Sequence, residues 1–386
     1  MKTAIINGEI ITPKEEIRGQ QLLIADGRIQ RIEPAGRLGK GVSAIDARGC
    51  FVIPGLIDIH AHGADGHDAM DATPEGIHKI ARFIARHGVT SYLPTTFAAS
   101  AEAIQAAIDN LLQIPQPEDG AQHLGIHLEG PYVGREYKGA QPPAHIRAAD
   151  PKEYRQWLES GIVRLMTVAP EVDGVLELID TGTKMGVEFA AGHTSATYEQ
   201  ALEAADHGVR QLTHTFNGMA PLNHRTPGVL GAALSDDRLR CQIIADGVHV
   251  HPAVVRALVR AKGAEGTILI TDSMRATGMS DGQYALGEQT IHVVGGIART
   301  DAGGLAGSTL TLDQGLRHMM RFGDLSLAEA LPMATSTPAA AMGWTGKKGV
   351  IAVGADADIV LLDNQLQVQL TMIGGRVVYD RAQQPA

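Results

Sequence analysis

Short apolar runs alternate with helical stretches through the middle of the chain. Eight runs are visible, the first of them interrupted by Pro54-Gly55: Val52–His60, Val89–Thr95, Leu124–Glu129, Ile162–Ala169, Val187–His193, Val209–His214, Cys241–Asp246 and Thr267–Asp272. The segments between the runs predict helices, including Thr73–Arg86, Ala99–Leu112, Asp150–Glu159, Ala196–His207 and His251–Ala261. Buried strands that alternate with helices are typical of βα units on a parallel sheet.

Eight such units predict an α/β fold of the TIM-type (β/α)8 barrel class. A doubly wound open sheet is the alternative. It would normally carry a Gly-rich G-x-G-x-x-G turn for a dinucleotide, and none of the eight runs is followed by that motif. The pattern therefore favours the barrel.

The two ends of the chain have a different pattern, in which short strands are separated by turn dipeptides. Asn7-Gly8 and Asp26-Gly27 each predict a hairpin, and Gly374-Gly375 separates two apolar stretches near the C-terminus. Neither end has enough strands to bury a core alone, so we expect the two termini to form one small β-sandwich domain. The predicted division is a sandwich from 1–52 and 345–386, a barrel from 53–344, and a hairpin inserted near 278–304 over the barrel mouth.

Composition supports two units and excludes several classes of protein. At 386 residues the chain exceeds the size at which one hydrophobic core stops growing. Its 44% hydrophobic and 20% charged residues argue against disorder and against a membrane protein, and its net charge of -10 argues against a nucleic-acid partner. With neither a signal-peptide pattern nor a long apolar run, we expect a cytoplasmic protein. Cys50 and Cys241 are too few for a disulfide framework or thiolate zinc site.

Six of the eight runs end on groups that can bind a metal or transfer a proton. These groups are His60, His62, His127, Glu129, His193, His214, Asp246, His249 and Asp272. The active site of a TIM-type barrel lies at the C-terminal ends of its strands, so these side chains should meet at one mouth. A single His or Asp at a strand end often has only a structural role, but the coincidence over six strands favours a shared site.

The spacing of these residues indicates metal chemistry. His60 and His62 lie two apart on an extended strand, so both rings point to the same side and can share a metal. His193, His214 and Glu129 supply two imidazoles and one carboxylate, which is the ligand set of a hydrolytic metal site with a position left for water.

Hydrolysis of an amide needs a strong nucleophile and a proton carrier. A divalent metal lowers the pKa of bound water from about 15.7 toward 7, and a nearby carboxylate moves the proton to the leaving amine. Asp272, at the end of the last run, is placed for that role. A serine nucleophile is not indicated, because the chain has no G-x-S-x-G elbow.

Several motifs in order resemble a known family. They are PGLIDIHAHG, HLEGPYV, KGAQPP, AGHT, THTFNGM, HRTPG, ADGVHVHP, ITDSMRATG and LAGSTLTLD. Together they resemble the N-acetylglucosamine-6-phosphate deacetylases of the amidohydrolase superfamily, over essentially the whole chain. The resemblance implies a homodimeric, metal-dependent hydrolase that releases acetate and glucosamine 6-phosphate from N-acetylglucosamine 6-phosphate, in amino-sugar catabolism or cell-wall recycling.

The same resemblance assigns roles to matching residues. It implies Glu129, His193 and His214 as ligands of the principal metal, His60 and His62 as a second metal site bridged by Glu129, and Asp272 as the catalytic acid and base. The implied substrate-binding residues are Ala140, Asn217, Gly218, Arg225, His249, Leu305, Ala306 and Gly307. Arg225 and His249 would hold the 6-phosphate, Arg225 across a dimer interface. One or two divalent metals are implied, zinc first, with iron, cobalt or manganese as alternatives.

Three other interpretations stay open at this point. Thr215, Gly218 and Thr226 depart from the family motifs, and Thr226, which is next to Arg225, keeps an N-acetylgalactosamine 6-phosphate deacetylase in view. Another amidohydrolase acting on N-acyl or cyclic amides would share the metal residues without the phosphate contacts. A non-catalytic regulator that binds sugar phosphates is the third, but the complete ligand set with Asp272 argues against it.

Overall fold

The computed structural model describes residues 2–12, 15–287 and 289–383. The strands of this part, in chain order, are β1 (Lys2–Ile6), β2 (Glu9–Ile11), β3 (Glu16–Ile17), β4 (Gln20–Ala25), β5 (Arg28–Pro34), β6 (Val42–Asp46), β7 (Phe51–Pro54), β8 (Leu56–Ala61), β9 (Gly63–Ala64), β10 (His67–Asp68), β11 (Val89–Thr96), β12 (Gln122–His123), β13 (Ile126–Glu129), β14 (Val163–Val168), β15 (Glu188–Ala191), β16 (Val209–Leu212), β17 (Arg240–Ile244), β18 (Thr267–Ile270), β19 (Gly282–Leu286), β20 (Gln289–Val294), β21 (Ile297–Thr300), β22 (Ile359–Leu362), β23 (Val368–Ile373) and β24 (Arg376–Asp380).

The helices follow the strands of the central region. They are α1 (Pro74–Arg86), α2 (Ala101–Gln113), α3 (Pro151–Glu159), α4 (Val175–Lys184), α5 (Tyr198–His207), α6 (Gly228–Ser235), α7 (Pro252–Lys262), α8 (Leu312–Gly323), α9 (Leu327–Ala330) and α10 (Ser336–Ala341). Short 3₁₀ segments cover Ala69–Asp71, Leu331–Ala334 and Arg381–Gln383. None of the helices in the described ranges is long and apolar enough to cross a membrane.

Within the described residues, eight parallel strands form a nearly closed barrel in the order β8, β11, β13, β14, β15, β16, β17 and β18. Polar contacts join its first and last strands. The backbone N–H of Asp272 donates to the His60 carbonyl at 2.9 Å. The Thr271 hydroxyl donates to Asp58 Oδ2 at 2.6 Å. The predicted (β/α)8 barrel is therefore confirmed.

Local sequence signals explain where the outer helices begin. Thr73 precedes α1, and its hydroxyl accepts a hydrogen bond from Gly76 N at 3.2 Å, while Pro74 occupies the first helical position. Thr197 and Gln200 form a reciprocal capping box at the start of α5. The apolar side chains of these helices pack on the outside of the barrel strands in one large buried cluster.

Two sheets at the chain ends pack together as a small β-sandwich. One sheet has the order β5-β4-β1-β6, and the other has the order β24-β23-β22-β7-β2-β3. The second sheet contains strands from both termini, and an apolar cluster that includes Ile5, Leu22, Ile359 and Met372 joins the two sheets. The predicted sandwich formed by the two termini is confirmed, whereas the boundary positions of the domains stay a prediction.

One of the hairpin predictions is wrong. Asp26-Gly27 does join two antiparallel neighbours, β4 and β5. At Asn7-Gly8, however, β1 pairs with β4 and β6, while β2 pairs with β3 and β7, so the chain crosses from one sheet to the other. A turn dipeptide reports only local backbone geometry, and the pairing partner is chosen by burial of the flanking strands.

The first apolar run is also divided between two sheets. Phe51–Pro54 lies in the sandwich, and Leu56–Ala61 is the first barrel strand. Gly55 stands at the division, where a side chain would collide with the side chain of Thr90 in the neighbouring strand. The interruption by Pro54-Gly55 therefore marks the passage of the chain from the sandwich into the barrel.

An antiparallel sheet, here called the inserted sheet, consists of β19, β20 and β21 and follows the last barrel strand. Its apolar side chains belong to a buried cluster with residues of the barrel mouth, among them Phe97, Met274 and Ala306. The sheet thus lies over the C-terminal ends of the barrel strands.

Candidate active site

Three of the predicted site residues share an unusual backbone conformation. His193, His214 and Asp272 lie just beyond the ends of β15, β16 and β18, and their φ angles are 48°, 27° and 50°. Left-handed backbone is uncommon for residues with a side chain, and it clusters at functional sites. The chain therefore turns sharply at each of these positions, and the side chains face the barrel mouth.

The carboxylate of Glu129, the last residue of β13, lies at the centre of four imidazoles. Its Oε1 is 2.9 Å from His214 Nε2, 3.2 Å from His193 Nε2 and 3.5 Å from His60 Nε2. Its Oε2 is 3.4 Å from His62 Nε2. All five side chains are buried. The structure thus brings together every residue that the sequence predicted as a metal ligand.

Backbone carbonyls fix the orientation of three of these rings. In each, Nδ1 lies 3.0–3.1 Å from a carbonyl oxygen, in the pairs His62 with Thr95, His193 with Tyr137, and His214 with Asn217. A carbonyl oxygen only accepts, so Nδ1 carries a hydrogen, and Nε2 of each ring faces the cluster, where it can bind a metal once it has lost its own proton. An imidazole that binds a metal is normally held in this way.

The donor set fits a divalent cation. Two groups of ligand atoms lie within 4.8 Å of one another, His60, His62 and Glu129 in one and Glu129, His193 and His214 in the other. Burial raises the pKa of Glu129, but the adjacent His60 and His193 outweigh it and hold the pKa well below its usual value. An ionised carboxylate shared by two imidazole pairs can hold one metal or bridge two.

Asp272 faces the same group of imidazoles from the last barrel strand. Its Oδ1 lies 3.1 Å from His62 Nε2 and 3.4 Å from His60 Nε2. Burial raises the pKa of Asp272, but His60 and His62 outweigh this effect and hold the pKa below its usual value. The side chain is therefore ionised at neutral pH and is able to accept a proton from a water molecule at the centre.

A cavity of about 270 Å³ opens above this centre. The predicted substrate residues that line it are Ala140, Asn217, Gly218, His249, Leu305, Ala306 and Gly307. Arg225 does not line it. Its side chain is exposed, and its Nη1 lies 3.1 Å from Nε2 of the neighbouring His224.

His249 forms a half-buried pair with Asp246, a contact between two residues that the sequence placed at the end of the same run. Its Nδ1 donates to Asp246 Oδ2 at 2.6 Å, and Asp246 Oδ1 accepts from the backbone N–H groups of Val248 and His249, each at 2.8 Å. Burial raises the pKa of Asp246, but the contacts with His249 and the two backbone N–H groups together outweigh burial and lower the pKa. Asp246 therefore holds the ring of His249 with Nδ1 protonated and Nε2 free.

Gln141 is a site residue that sequence reasoning missed. Its side-chain oxygen accepts from Ala98 N at 2.7 Å, so its Nε2 points the other way and donates to Glu129 Oε2 at 2.6 Å. Gln141 thereby fixes the carboxylate at the centre of the cluster. Its position beside Ala140 in the KGAQPP motif was the sequence signal that could have identified it. The contact with Glu129, however, depends on how the loop folds back over β13.

His127 lies beneath the cluster rather than in it. Its ring stands edge-on to that of His60, with 4.6 Å between the ring centroids, and its Nε2 lies 2.8 Å from the Thr167 hydroxyl. Burial, together with the neighbouring His60, lowers the pKa of His127 well below its usual value. The ring is therefore neutral, and it supports His60 from below.

Comparisons with known proteins agree with this geometry. A model described as the amidohydrolase family matches residues 51–378. The chain is 40% identical to the N-acetylgalactosamine-6-phosphate deacetylase of Escherichia coli O157:H7, over 95% of this chain and 97% of that protein. It is also 40% identical to the N-acetylglucosamine-6-phosphate deacetylase of Vibrio furnissii, over 86% and 84%.

A solved structure shares the whole fold. It is a mutant of the N-acetyl-D-glucosamine-6-phosphate deacetylase of Mycobacterium smegmatis in complex with N-acetyl-D-glucosamine-6-phosphate. The TM-score is 0.89 at 34% identity, and the superposition covers 98% of this chain and 99% of that chain.

Proposed function

This chain belongs to the amidohydrolase family, and from that premise we propose that it is a metal-dependent deacetylase of N-acetylglucosamine 6-phosphate. The reaction is hydrolysis of the acetamido group, which yields glucosamine 6-phosphate and acetate. One observation carries the proposal. The buried carboxylate of Glu129 is shared by two pairs of imidazoles, and the ionised Asp272 faces them in the same cavity.

In the proposed mechanism, Glu129, His193 and His214 would hold the principal metal, and His60 and His62 together with Glu129 would hold a second one if two are bound. A bound divalent metal supplies positive charge that polarises an amide carbonyl and acidifies water. Gln141 keeps the Glu129 carboxylate in place through its 2.6 Å hydrogen bond.

Asp272 moves the proton. It accepts a proton from the attacking water as the water oxygen bonds to the acetyl carbonyl carbon. It then delivers the proton to the nitrogen as the carbon–nitrogen bond breaks, and the products are acetate and a free amine. Its pKa, which lies below the usual value, keeps it ionised and ready for the first of these steps.

Polar groups on one side of the cavity suit the sugar phosphate. Asn217 lines this side and His249 Nε2 is available for the 6-phosphate, while the backbone of Leu305, Ala306 and Gly307 lines the cavity beside Met274. We propose that Arg225, exposed on its own subunit, completes the phosphate site of a partner subunit in a homodimer. This arrangement would give an anion a local positive charge on a protein of net charge -10.

The metal is proposed to be zinc. Imidazole and carboxylate ligands in a buried site suit zinc, but they also accept iron, cobalt and manganese. A cytoplasmic location likewise stays a proposal from the sequence.

A second substrate is favoured by one comparison. The E. coli relative named for N-acetylgalactosamine 6-phosphate is as similar to this chain as the V. furnissii relative named for the gluco epimer. The two sugars differ only in the configuration at C4, so the same metal centre serves both.

Acetate release from the two epimeric phosphates tests the proposal. We expect kcat/KM to be higher for N-acetylglucosamine 6-phosphate by at least about tenfold, a difference typical of one misplaced hydroxyl contact. A preference for the galacto epimer would transfer the assignment to the second substrate. If neither phosphate yields acetate with metal-loaded protein, the proposed function is wrong.

A further inference from the structure

The inserted sheet reaches into the cavity. Leu286, at the end of β19, lines the cavity and is buried against Phe97 and Met274. The following residue, Gly287, lies so close to the Phe97 ring that an added Cβ would be 3.1 Å from it. On the far side of the turn, Gln289 Nε2 donates to the carbonyl of Ala140 at 2.8 Å. Leu286 with the following Gly287 on one side, and Gln289 at the start of β20 on the other, therefore attach the inserted sheet to the barrel mouth by both apolar and polar contacts.

The cavity has an apolar side and a polar side. Phe97, Met274 and Leu286, here called the acyl wall, are all buried hydrophobic residues. Asn217 and His249 are polar, and they also line the cavity.

Barrel topology places Phe97 opposite the polar side, whereas Met274 follows β18, the neighbour of β17. Phe97 follows β11, the second barrel strand, while Asn217 and His249 follow β16 and β17, the sixth and seventh. In an eight-stranded barrel the second and sixth strands stand opposite each other. The group of imidazoles around Glu129 lies between the two sides.

The reacting carbon of an amide carries two substituents that point away from each other. When the sugar and its phosphate extend from this carbon toward Asn217 and His249, the acyl chain extends toward the second strand. That side of the cavity is apolar, as an acyl methyl group requires. Met274, two residues beyond Asp272, places the wall directly beside the proton carrier.

We propose that the acyl wall is the acyl pocket of this enzyme, and that Leu286 of the inserted sheet sets the upper limit on acyl chain length. The inference rests on the proposed function, because it takes the substrate to be an N-acylated hexosamine phosphate. It gives the inserted sheet a direct part in substrate specificity, because the barrel alone would leave the acyl pocket open beside Phe97 and Met274.

The test compares N-acetyl-, N-propionyl- and N-butyrylglucosamine 6-phosphate, with release of glucosamine 6-phosphate as the common readout. We expect the wild-type enzyme to prefer acetyl over butyryl by about tenfold or more in kcat/KM, since one excluded methylene is worth roughly 10–200-fold. Leu286→Ala should reduce that preference by about tenfold or more. Val294→Ala is the matched control, because Val294 lies in the same inserted sheet but is 73% exposed and should leave the preference unchanged.

A second variant works in the opposite direction and keeps the test informative if Leu286→Ala fails to fold. Leu286→Phe should narrow the pocket, lowering kcat/KM for the acetyl substrate about tenfold while the N-formyl substrate stays within about twofold of wild type.

Several results would overturn the proposal. If the wild-type enzyme hydrolyses the butyryl substrate as well as the acetyl substrate, the pocket does not limit the length of the acyl chain. If Leu286→Ala keeps the wild-type preference for acetyl, Leu286 does not set that limit. An equal rise in KM for all three substrates would mean that the sugar ring, not the acyl chain, contacts this wall. If wild-type enzyme hydrolyses none of the acylated phosphates, the proposed function itself has failed, which is a different outcome.

Discussion

At the scale of single residues, hydrogen bonds to fixed backbone groups prepare this site. Gln141 is oriented by Ala98 N and in turn orients Glu129, and three imidazoles are oriented by carbonyls. Such partners lower the cost of ordering the ligands when a metal binds. The ligands themselves could be predicted from the sequence because strand ends in a barrel converge, whereas Gln141 could not, since its contact joins a loop to a strand.

The Asp246–His249 pair leads to a prediction at this scale. Asp246→Asn keeps an oxygen acceptor for His249 Nδ1 but removes the negative charge beside the ring. We expect KM for N-acetylglucosamine 6-phosphate to rise about tenfold, with kcat within about twofold of wild type, because a charge-assisted bond to the phosphate is weakened. Steady-state kinetics with the phosphorylated and unphosphorylated sugars measures the effect.

The control uses a second substitution. If Asp246 acts only through His249, then Asp246→Asn has no further effect on KM when it is added to His249→Gln. A fall in kcat without a change in KM, or an equal loss with the unphosphorylated sugar, would contradict the assigned role.

At the scale of elements, the turns after the strands and the inserted sheet determine which side chains line the barrel mouth. His193, His214 and Asp272 were assigned to strand ends from the sequence, but each lies two residues beyond its strand in a left-handed turn. The apolar pattern indicates where a strand is buried, but not where its pairing stops. Leu286 was missed for a related reason, since its role depends on the inserted sheet folding back onto Phe97.

A polar cluster around Asp313 joins two outer helices and gives a prediction at this scale. His87, which caps α1, has Nδ1 3.0 Å from Asp313 Oδ1, and Arg317 Nη1 donates to Asp313 Oδ2 at 2.9 Å. Burial raises the pKa of Asp313, but the hydrogen bond and charge of His87, together with the charge of Arg317, outweigh burial and lower the pKa to about 2. Asp313→Asn should therefore lower the free energy of unfolding by about 2 kcal/mol at pH 7.

The pH dependence of this loss follows from the direction of the shift. A carboxyl group with a pKa of about 2 in the folded state and 3.8 in its ordinary environment stabilises the protein fully above about pH 4, and the effect is lost as the pH falls toward 2. Urea unfolding of the wild type and the variant at several pH values measures the difference. Glu75→Gln, which removes the exposed partner of Lys79, should cause no measurable change. A similar stability for Asp313→Asn and wild type at pH 7 would contradict the account.

At the scale of the whole molecule, the barrel and the sandwich followed from the sequence because their patterns are regular over long stretches. Eight buried runs with helices between them are compatible with few architectures. The strands at each terminus need partner strands from the other end of the chain to bury a core. The crossing at Asn7-Gly8 did not follow, because the choice of sheet is made by the packing of Ile5 and Ile10 in the sandwich core rather than by the turn. The net charge of -10 is likewise uninformative about an anionic substrate, whose binding depends on a few local groups.

The measurement that tests the central claim most directly is acetate release from N-acetylglucosamine 6-phosphate and from unphosphorylated N-acetylglucosamine, before and after removal of metal by a chelator. The Asp272→Asn variant, loaded with the same amount of metal as the wild type, serves as the blank, that is, the reference without the proton carrier. We expect the phosphorylated sugar to be preferred by at least about a hundredfold in kcat/KM, activity to vanish with the metal and return when zinc is added, and the blank to lose at least about a hundredfold in kcat. Equal rates with both sugars, activity that survives complete removal of metal, or an unimpaired Asp272→Asn variant would contradict it.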